Sequence, residues 1–479
     1  MLALTAQPSF AILGAVKAPQ PMASVQWLLL LCIGTAQPLA RAQTCPGLWA
    51  RQLGPLSQSS PAIGRDGTIY IANDAQVLFS LAPTGRTNWF VQTGWDTQQG
   101  QHAGTPVIAP DDSIYCGTNL FSPKGEIVRA FPFPLRVCAI MSDGGIYAWS
   151  ARSNLMSLAP DGSTNWSVQF EHEVSDPIIG PENELYVGGA QTPVTRRDSH
   201  DGSVVWTSGP GSPVAIDGAG NICSVLGSNL FVLHPDGTTN FTFAAAGRIT
   251  TGITIGTDGT LYFGDTNGTF FAVNTNYSPR PNGVPQQFQR WRFSSGGTSL
   301  STGAAAADGT IYMVASRFYS VASIYAIGTN GPQMPPGYPV SVCGSVFLGN
   351  FFGSVVTAGV AISTNGSVYV VATNGLFLAV RGSAPLANSA WAMESRDPRH
   401  TNRSGGAAIT EPVIEGFTSP SNGSTVSFSS EVGRHYSLQS SASLTNWSIH
   451  SGSNASGDRA SLSATNIQSE QRFFRISSP

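Results

Sequence analysis

Ile63-Gly64-Arg65-Asp66-Gly67-Thr68-Ile69-Tyr70 is a stretch that the chain keeps rewriting. It returns as Ile255-Gly256-Thr257-Asp258-Gly259-Thr260-Leu261-Tyr262 and again as Ala307-Asp308-Gly309-Thr310-Ile311-Tyr312. Looser copies end at Tyr115, Tyr147, Tyr186, Cys223 and Tyr369, which makes eight. Each copy reads as a turn followed by a strand. Asp-Gly and Asn-Gly supply the positive φ that joins antiparallel strands tightly. The residues after the turn are β-branched or aromatic and suit a half-buried pleated surface. Upstream of several copies stands a short run led by Pro, as in Ser60-Pro61-Ala62-Ile63 and Thr105-Pro106-Val107-Ile108. Proline is tolerated at the first position of a strand, so these runs read as strand starts.

A second landmark follows. Leu81-Ala82-Pro83-Thr84-Gly85-Arg86-Thr87-Asn88-Trp89 recurs at Leu158 to Trp166 and, with Phe241 in place of Trp, at Leu233 to Phe241. A shorter version ends at Trp206. One unit is therefore four short strands in two hairpins. The anchors Tyr147, Tyr186, Cys223 and Tyr262 lie 39, 37 and 39 residues apart. Four strands in about 40 residues is the spacing of a propeller blade. Eight copies predict eight blades, seven being the other count this spacing admits. Longer intervals, 50 residues from Tyr262 to Tyr312 and 57 from Tyr312 to Tyr369, place loops on one face, where function is grafted.

Gly47-Leu48-Trp49-Ala50-Arg51-Gln52-Leu53 looks like the last strand of a blade without its first three, whereas the unit around Tyr369 and Leu376 lacks a last strand. The two ends are expected to share one blade and so remove the free sheet edges of an open array. Trp391-Ala392-Met393 competes for the same closing role. Residues 394–405 are polar and read as a linker. Beyond Glu411 the repeat stops, and short alternating runs at Ser424 to Phe428, Tyr436 to Gln439, Trp447 to Ile449 and Arg472 to Ile476 suggest a small β-sandwich. The expected architecture is all-β: a propeller over 43–405, then a β-sandwich module over 406–479.

Composition agrees with a turn-rich, charge-poor chain: 53 Gly and 32 Pro in 479 residues, 11% charged and a formal net charge of −3. That balance gives no electrostatic case for nucleic acid or an anionic membrane. Trp27 to Ile33 is a short apolar run and Ala40-Arg41-Ala42 a small-x-small cleavage site, so residues 1–42 read as a secretory signal. The run is too short to span a bilayer. A secreted, periplasmic or surface-displayed monomer is expected. The remaining cysteines, Cys45, Cys116, Cys138, Cys223 and Cys343, are odd in number, which leaves at least one thiol free. Cys116 and Cys138 could pair, or stay buried and reduced.

The Asp-Gly-x-x-Tyr copies and Trp89, Trp166 and Trp206 resemble the pyrroloquinoline-quinone-repeat, or quinoprotein-like, propellers. That group includes alcohol dehydrogenases and the propeller lipoproteins of outer-membrane assembly. The resemblance implies an eight-bladed fold with Trp-based docking between blades. Trp391-Ala392-Met393 with Asp397-Pro398-Arg399-His400-Thr401 is similar to a Trp-Pro-Met…Asp-x-x-His-Thr-Gly stretch of secreted bacterial members. In the tail, Gly433 to Ser441, Leu444 to Trp447 and Arg472 to Ile476 resemble a C-terminal module of exported Verrucomicrobia-type proteins.

The chemistry is sparse. A quinone dehydrogenase of the alcohol-oxidising kind is expected to hold calcium, an Asp base and a vicinal disulfide, and the chain has no adjacent cysteines. Asp66, Asp143, Asp258 and Asp308 sit in turns, where Asp is a turn former. Glu171-His172-Glu173 is the densest titratable cluster and reads as a solvated edge strand. Arg196-Arg197-Asp198 with His200 reads as a surface turn. No phosphate loop, dinucleotide fingerprint or Gly-x-Ser-x-Gly elbow is present. Trp95, Tyr277, Trp291, Tyr319 and Tyr338, with Phe318 and Phe351-Phe352, are candidate ligand-contacting aromatics, set against a packing role between blades. The structural anchors are Asp66, Gly67, Tyr70, Trp89, Tyr147, Trp166, Tyr186, Trp206, Asp258, Gly259, Tyr262, Asp308, Gly309, Tyr312 and Tyr369. The sequence points to an exported non-catalytic scaffold for an unknown protein or polysaccharide, with no cofactor. The alternatives are a diverged dehydrogenase using pyrroloquinoline quinone with calcium, and an envelope or outer-membrane assembly factor.

Overall fold

A hairpin whose turn sits at Asp-Gly can bury only one face, so successive units must stack. In the computed structural model they do so as eight four-stranded blades in a β-propeller. The structure describes residues 47–54, 59–94, 104–132, 135–141, 143–150, 153–274, 289–297, 299–316, 322–331, 340–342, 358–372, 375–397 and 400–403. In the C-terminal region it describes 414–418, 423–429, 435–441, 448–454, 459–465 and 473–477.

Blade 1 is typical: Ala62–Ile63, Ile69–Ala72, Val77–Leu81 and Thr87–Gln92 pair antiparallel in chain order. Blades 2 to 7 follow over 107–130, 136–169, 178–210, 212–244, 254–294 and 299–342. In blade 7 the first strand is broken into Ser299–Leu300 and Ala304–Ala305, both paired to Ile311–Ser316. Burial falls from the first two strands, fully buried in blade 1, to the fourth, whose Thr87, Asn88, Phe90 and Gln92 are exposed. First strands therefore line the axis and fourth strands form the rim.

Blade 8 takes its first three strands from Ala361–Ile362, Ser367–Val371 and Leu376–Arg381, and its fourth from the other end of the chain, Gly47–Gln52. Trp49 lies opposite Ala379 in that pairing. The shared blade read from Trp49 is thus present, and Trp391-Ala392-Met393 is not its closing strand.

The repeated Tyr and Trp do one job in blades 1, 3, 4, 6 and 8. Tyr70 touches Trp89, Tyr147 touches Trp166, Tyr186 touches Trp206 and Tyr262 touches Trp291, with centroids 5.7–5.9 Å apart. Each indole then donates its N–H to a turn carbonyl of the next blade: Trp49 to Pro83, Trp89 to Pro123, Trp166 to Ser199 and Trp206 to Pro235. The ring lies flat on a glycine of that turn. A Cβ on Gly125, Gly202 or Gly237 would meet the indole at 2.8 Å, and each of these glycines has a positive φ. Blade 2 departs from the rule, because Arg129 stands in the Trp position and donates Nη1 to Pro160 over Gly162. Replacing Trp166 by phenylalanine removes this donor together with part of the ring packed over Gly202. It is expected to cost about 1 kcal/mol for the hydrogen bond and more for the lost packing, read as a shifted denaturation midpoint at unchanged m-value.

The turn aspartates accept from the backbone two residues on: Asp66 from Thr68, Asp143 from Gly145, Asp258 from Thr260 and Asp308 from Thr310. This is the local hydrogen bond that makes Asp a turn residue. Cys116, Cys138 and Cys223 are buried, and the two latter are free thiols, so the possible Cys116–Cys138 bridge is not formed. Burial pushes the Cys116 thiol up to about 12. Cys45 and Cys343 lie outside the described residues, as does the expected signal segment 1–42.

The C-terminal region forms two three-stranded antiparallel sheets. One is Ile414–Thr418, Gly423–Ser429 and Arg459–Thr465; the other is Ser448–Asn454, His435–Ser441 and Phe473–Ser477. Leu462 of the first and Leu438 of the second are buried. Among the described residues no helix is long and apolar enough to cross a membrane.

Candidate functional site

The first strand of each blade pairs on one side only, which leaves a row of backbone N–H and C=O groups facing the axis. Buried groups of this kind need partners. For blades 3, 4, 6 and 7 residues 384–397 and 400–403, expected to be partly a linker, supply them. Ala307 donates to Pro385, Ala387 donates to Ala305, and Ala305 donates to Ala392, all along blade 7. Ile255 of blade 6 donates to Trp391, Ile140 of blade 3 to Thr401 and Ile179 of blade 4 to Asn402. Arg403 continues as a parallel bridge to Ile179. The Asn402 amide donates to the Cys138 carbonyl at 2.8 Å.

Side chains complete the set. Trp391, 1% exposed, packs in a core cluster with Ile178, Ile216 and Ile255 of blades 4, 5 and 6. Met393 is buried in the cluster of blades 7, 8 and 1. Glu394 sits at the seam where the ring closes. Its Oε2 accepts from Ser60 Oγ, just before blade 1, and from the Gly359 amide at 2.7 Å, just before blade 8. Burial holds this carboxyl above the usual carboxylate range. The linker expectation is therefore overturned: Arg396, Asp397, His400 and Asn402 are 3%, 1%, 1% and 7% exposed.

The polar residues of this run are used against each other. Arg396 Nη1 meets Asp397 Oδ2 at 3.0 Å, and Asp397 also accepts from the Thr401 hydroxyl. The His400 ring faces the Pro106 carbonyl of blade 2 through Nδ1 at 3.1 Å, which assigns that nitrogen its proton. Its Nε2 is buried without a partner. Burial brings its pKa down to about 4. Four non-glycine residues here are left-handed, with φ of 53° at Ser395, 75° at Arg396, 59° at His400 and 50° at Asn402. Such residues persist only where their surroundings over-determine them.

Beside this segment, Arg136 of blade 3 forks onto Asp176 of blade 4 at 2.6 and 2.8 Å, and Trp149 donates to Asp176 at 2.9 Å. Burial alone would neutralise both groups, but each is held charged by the other: Arg136 is raised and Asp176 lowered. Both keep about a third of their side-chain surface open to solvent, 34% and 38%. Asp176 also contributes to raising Glu394. Arg136 and Asp176 thus form a half-exposed ion pair whose field reaches Glu394.

Most of the loop aromatics read from the sequence, Trp95, Tyr277, Tyr319 and Tyr338 with Phe318 and Phe351-Phe352, lie outside the described residues. Trp291 is described and is a docking residue, 9% exposed, donating to the Thr329 carbonyl at 3.0 Å. Glu171-His172-Glu173 is exposed, as expected, but on a bend after the strand Thr164–Gln169 rather than on a strand. Arg197 stacks on Phe170 at 4.9 Å and donates to the Gly202 carbonyl, bracing the turn after it. Among the described residues no group of three His, Cys, Asp or Glu side chains could hold a metal ion.

No protein-family model matches the chain. No curated protein matches it either. Among solved structures, the C-terminal WD40 domain of Sif2 is similar over 69% of this chain and 97% of its own, at 9% identity and a TM-score of 0.55. Sqt1 of Saccharomyces cerevisiae is similar over 71% of this chain and 99% of its own, at 9% identity and a TM-score of 0.53. BamB of Moraxella catarrhalis is a more distant likeness over 68% and 83%, at 15% identity and a TM-score of 0.38. At these identities the likeness shows the propeller fold alone, and the third adds nothing to it.

Proposed function

We propose that the protein is an exported, non-catalytic recognition scaffold that binds a protein or a glycan through one face of its propeller. The observation that carries this reading is the use of the axis. The chain's own residues 384–397 and 400–403 occupy the inner edges of blades 3, 4, 6 and 7, and the turn carboxylates are committed to their own turns. Propellers offer a rigid ring on which loops present ligand contacts, and one such ring hosts many functions.

The test sets this reading against a diverged quinone dehydrogenase. The chain from Gln43 is titrated with pyrroloquinoline quinone and calcium, following tryptophan fluorescence. The scaffold reading expects no saturable quenching at high micromolar cofactor and no dye-linked oxidation of alcohols or aldoses. One-to-one quenching with turnover would move the protein to the oxidoreductases. Export is checked by mass spectrometry of the protein from a native-like host, which is expected to begin at Gln43.

A further inference from the structure

We infer that residues 384–397 and 400–403 are an acid-released plug of the propeller axis, with His400 as the group whose protonation expels them and uncovers the inner edges of blades 3, 4, 6 and 7. This does not depend on which ligand the propeller binds.

Three observations converge on His400. Its ring is buried, Nδ1 is already committed to the Pro106 carbonyl, and among the described residues Nε2 has no hydrogen-bond partner. A proton added at Nε2 would thus be a buried donor without a partner, a costly arrangement. On its own segment stand Arg396 and Asp397, already paired, with Arg403 beyond, and Arg399 adjoins it in the sequence. Asp397 offsets only part of the cost of burial. From blade 2 it meets the Pro106 carbonyl. Glu394 is committed to Ser60 and Gly359, and Arg136 and Asp176 to each other. The segment is also held in a conformation it would not keep alone, since four of its non-glycine residues are left-handed. Once the walls let go, nothing local restores it.

The sign follows from linkage. In the released segment His400 titrates near 6.5, and in place near 4. Protons therefore bind the released form first as the pH falls. The plugged form is fully favoured above about pH 6.5 and loses ground progressively down to about pH 4. The opening constant should rise about 30-fold from pH 8 to pH 5 and about 300-fold at saturation. Glu394 opposes this in its own range, because its raised carboxyl takes up a proton more readily in the plugged form.

Hydrogen exchange of the full chain, followed by mass spectrometry from pH 8 to pH 4.5 and corrected for intrinsic rates, tests the inference. Peptides from 384–397 and 400–403 should open about sevenfold faster at pH 5 than at pH 6, while second-strand peptides such as 69–72 stay protected. The variant His400→Asn should abolish this pH dependence. Asparagine tolerates a positive φ and its amide can reach the Pro106 carbonyl. Should that variant not fold, the wild-type slope decides by itself. A slope of zero, an equal rise in every blade, or an unchanged slope in His400→Asn would each overturn the inference.

Discussion

Replacing Trp391 by alanine is expected to destabilise the propeller by about 3–5 kcal/mol, the range for a large aromatic removed from a packed core. The residue lies in a run without the blade repeat, read from the sequence only as a competitor for the closing strand of the last blade. The side chain is 1% exposed and its core cluster draws on blades 4, 5 and 6. Its loss removes apolar contacts from three blades at once and leaves a cavity at the axis that neighbouring strands, pinned by their own ladders, cannot close. Urea denaturation followed by far-ultraviolet circular dichroism measures the effect. A shift under about 0.5 kcal/mol, typical of a surface site, would mean that the segment is not part of the core.

Gly85→Ala should be nearly as damaging, at about 3 kcal/mol, by acting on the closure of the ring. Gly85 has a φ of 80°, and a Cβ there would lie 2.5 Å from Cδ2 of Trp49. The indole must lift, losing its N–H bond to Pro83, and Arg51 Nε loses its 2.7 Å contact with the Gly85 carbonyl. Left-handed strain contributes about 1–2 kcal/mol and the lost hydrogen bonds about 1 kcal/mol each. Gly67→Ala separates the two contributions. Its φ of 79° carries the same backbone strain, but the new methyl would meet only the Pro83 ring, at 3.1 Å. It should cost about 1–2 kcal/mol and leave the Trp49 strand in place. Limited proteolysis near residue 54 should accelerate in Gly85→Ala and not in Gly67→Ala.

The ring itself was legible because its signals are local and repeated. Asp-Gly before an alternating strand is read from eight residues, and the copies from Tyr147 to Tyr262, 39, 37 and 39 residues apart, point to stacked four-stranded units. Even the closure by Trp49 was legible, since a lone closing strand at one end and a blade lacking one at the other are complementary. The count of eight was legible in the eight copies as well, although the longer intervals of blades 7 and 8 left seven as the other count.

The axis was not legible, for a physical reason. Residues 384–403 pair with backbone edges, and backbone hydrogen bonds leave no side-chain period behind. Pro385, Ser389, Asp397 and Asn402 look like loop residues, and the left-handed turns at Arg396 and His400 have no glycine to mark them. The signals present were the apolar triplet Trp391-Ala392-Met393 and the crowding of Asp397 and His400. In the same way, Arg129 hides a docking position, since an arginine lying over Gly162 imitates an indole only in three dimensions. Trp291 shows the converse: a loop aromatic by its flanking sequence, it is held between blades by Tyr262 and Thr329.

The most direct measurement is amide exchange at neutral pH for Ile140, Ile179, Ile255 and Ala305. These N–H groups end the first strands of blades 3, 4, 6 and 7 and donate to Thr401, Asn402, Trp391 and Ala392. Protection as strong as in the buried second strands is the expected result, and it should vanish in a chain whose residues 384–403 are replaced by a glycine-serine run of equal length. Exchange at the rate of unprotected amides in the intact chain would contradict a self-filled axis.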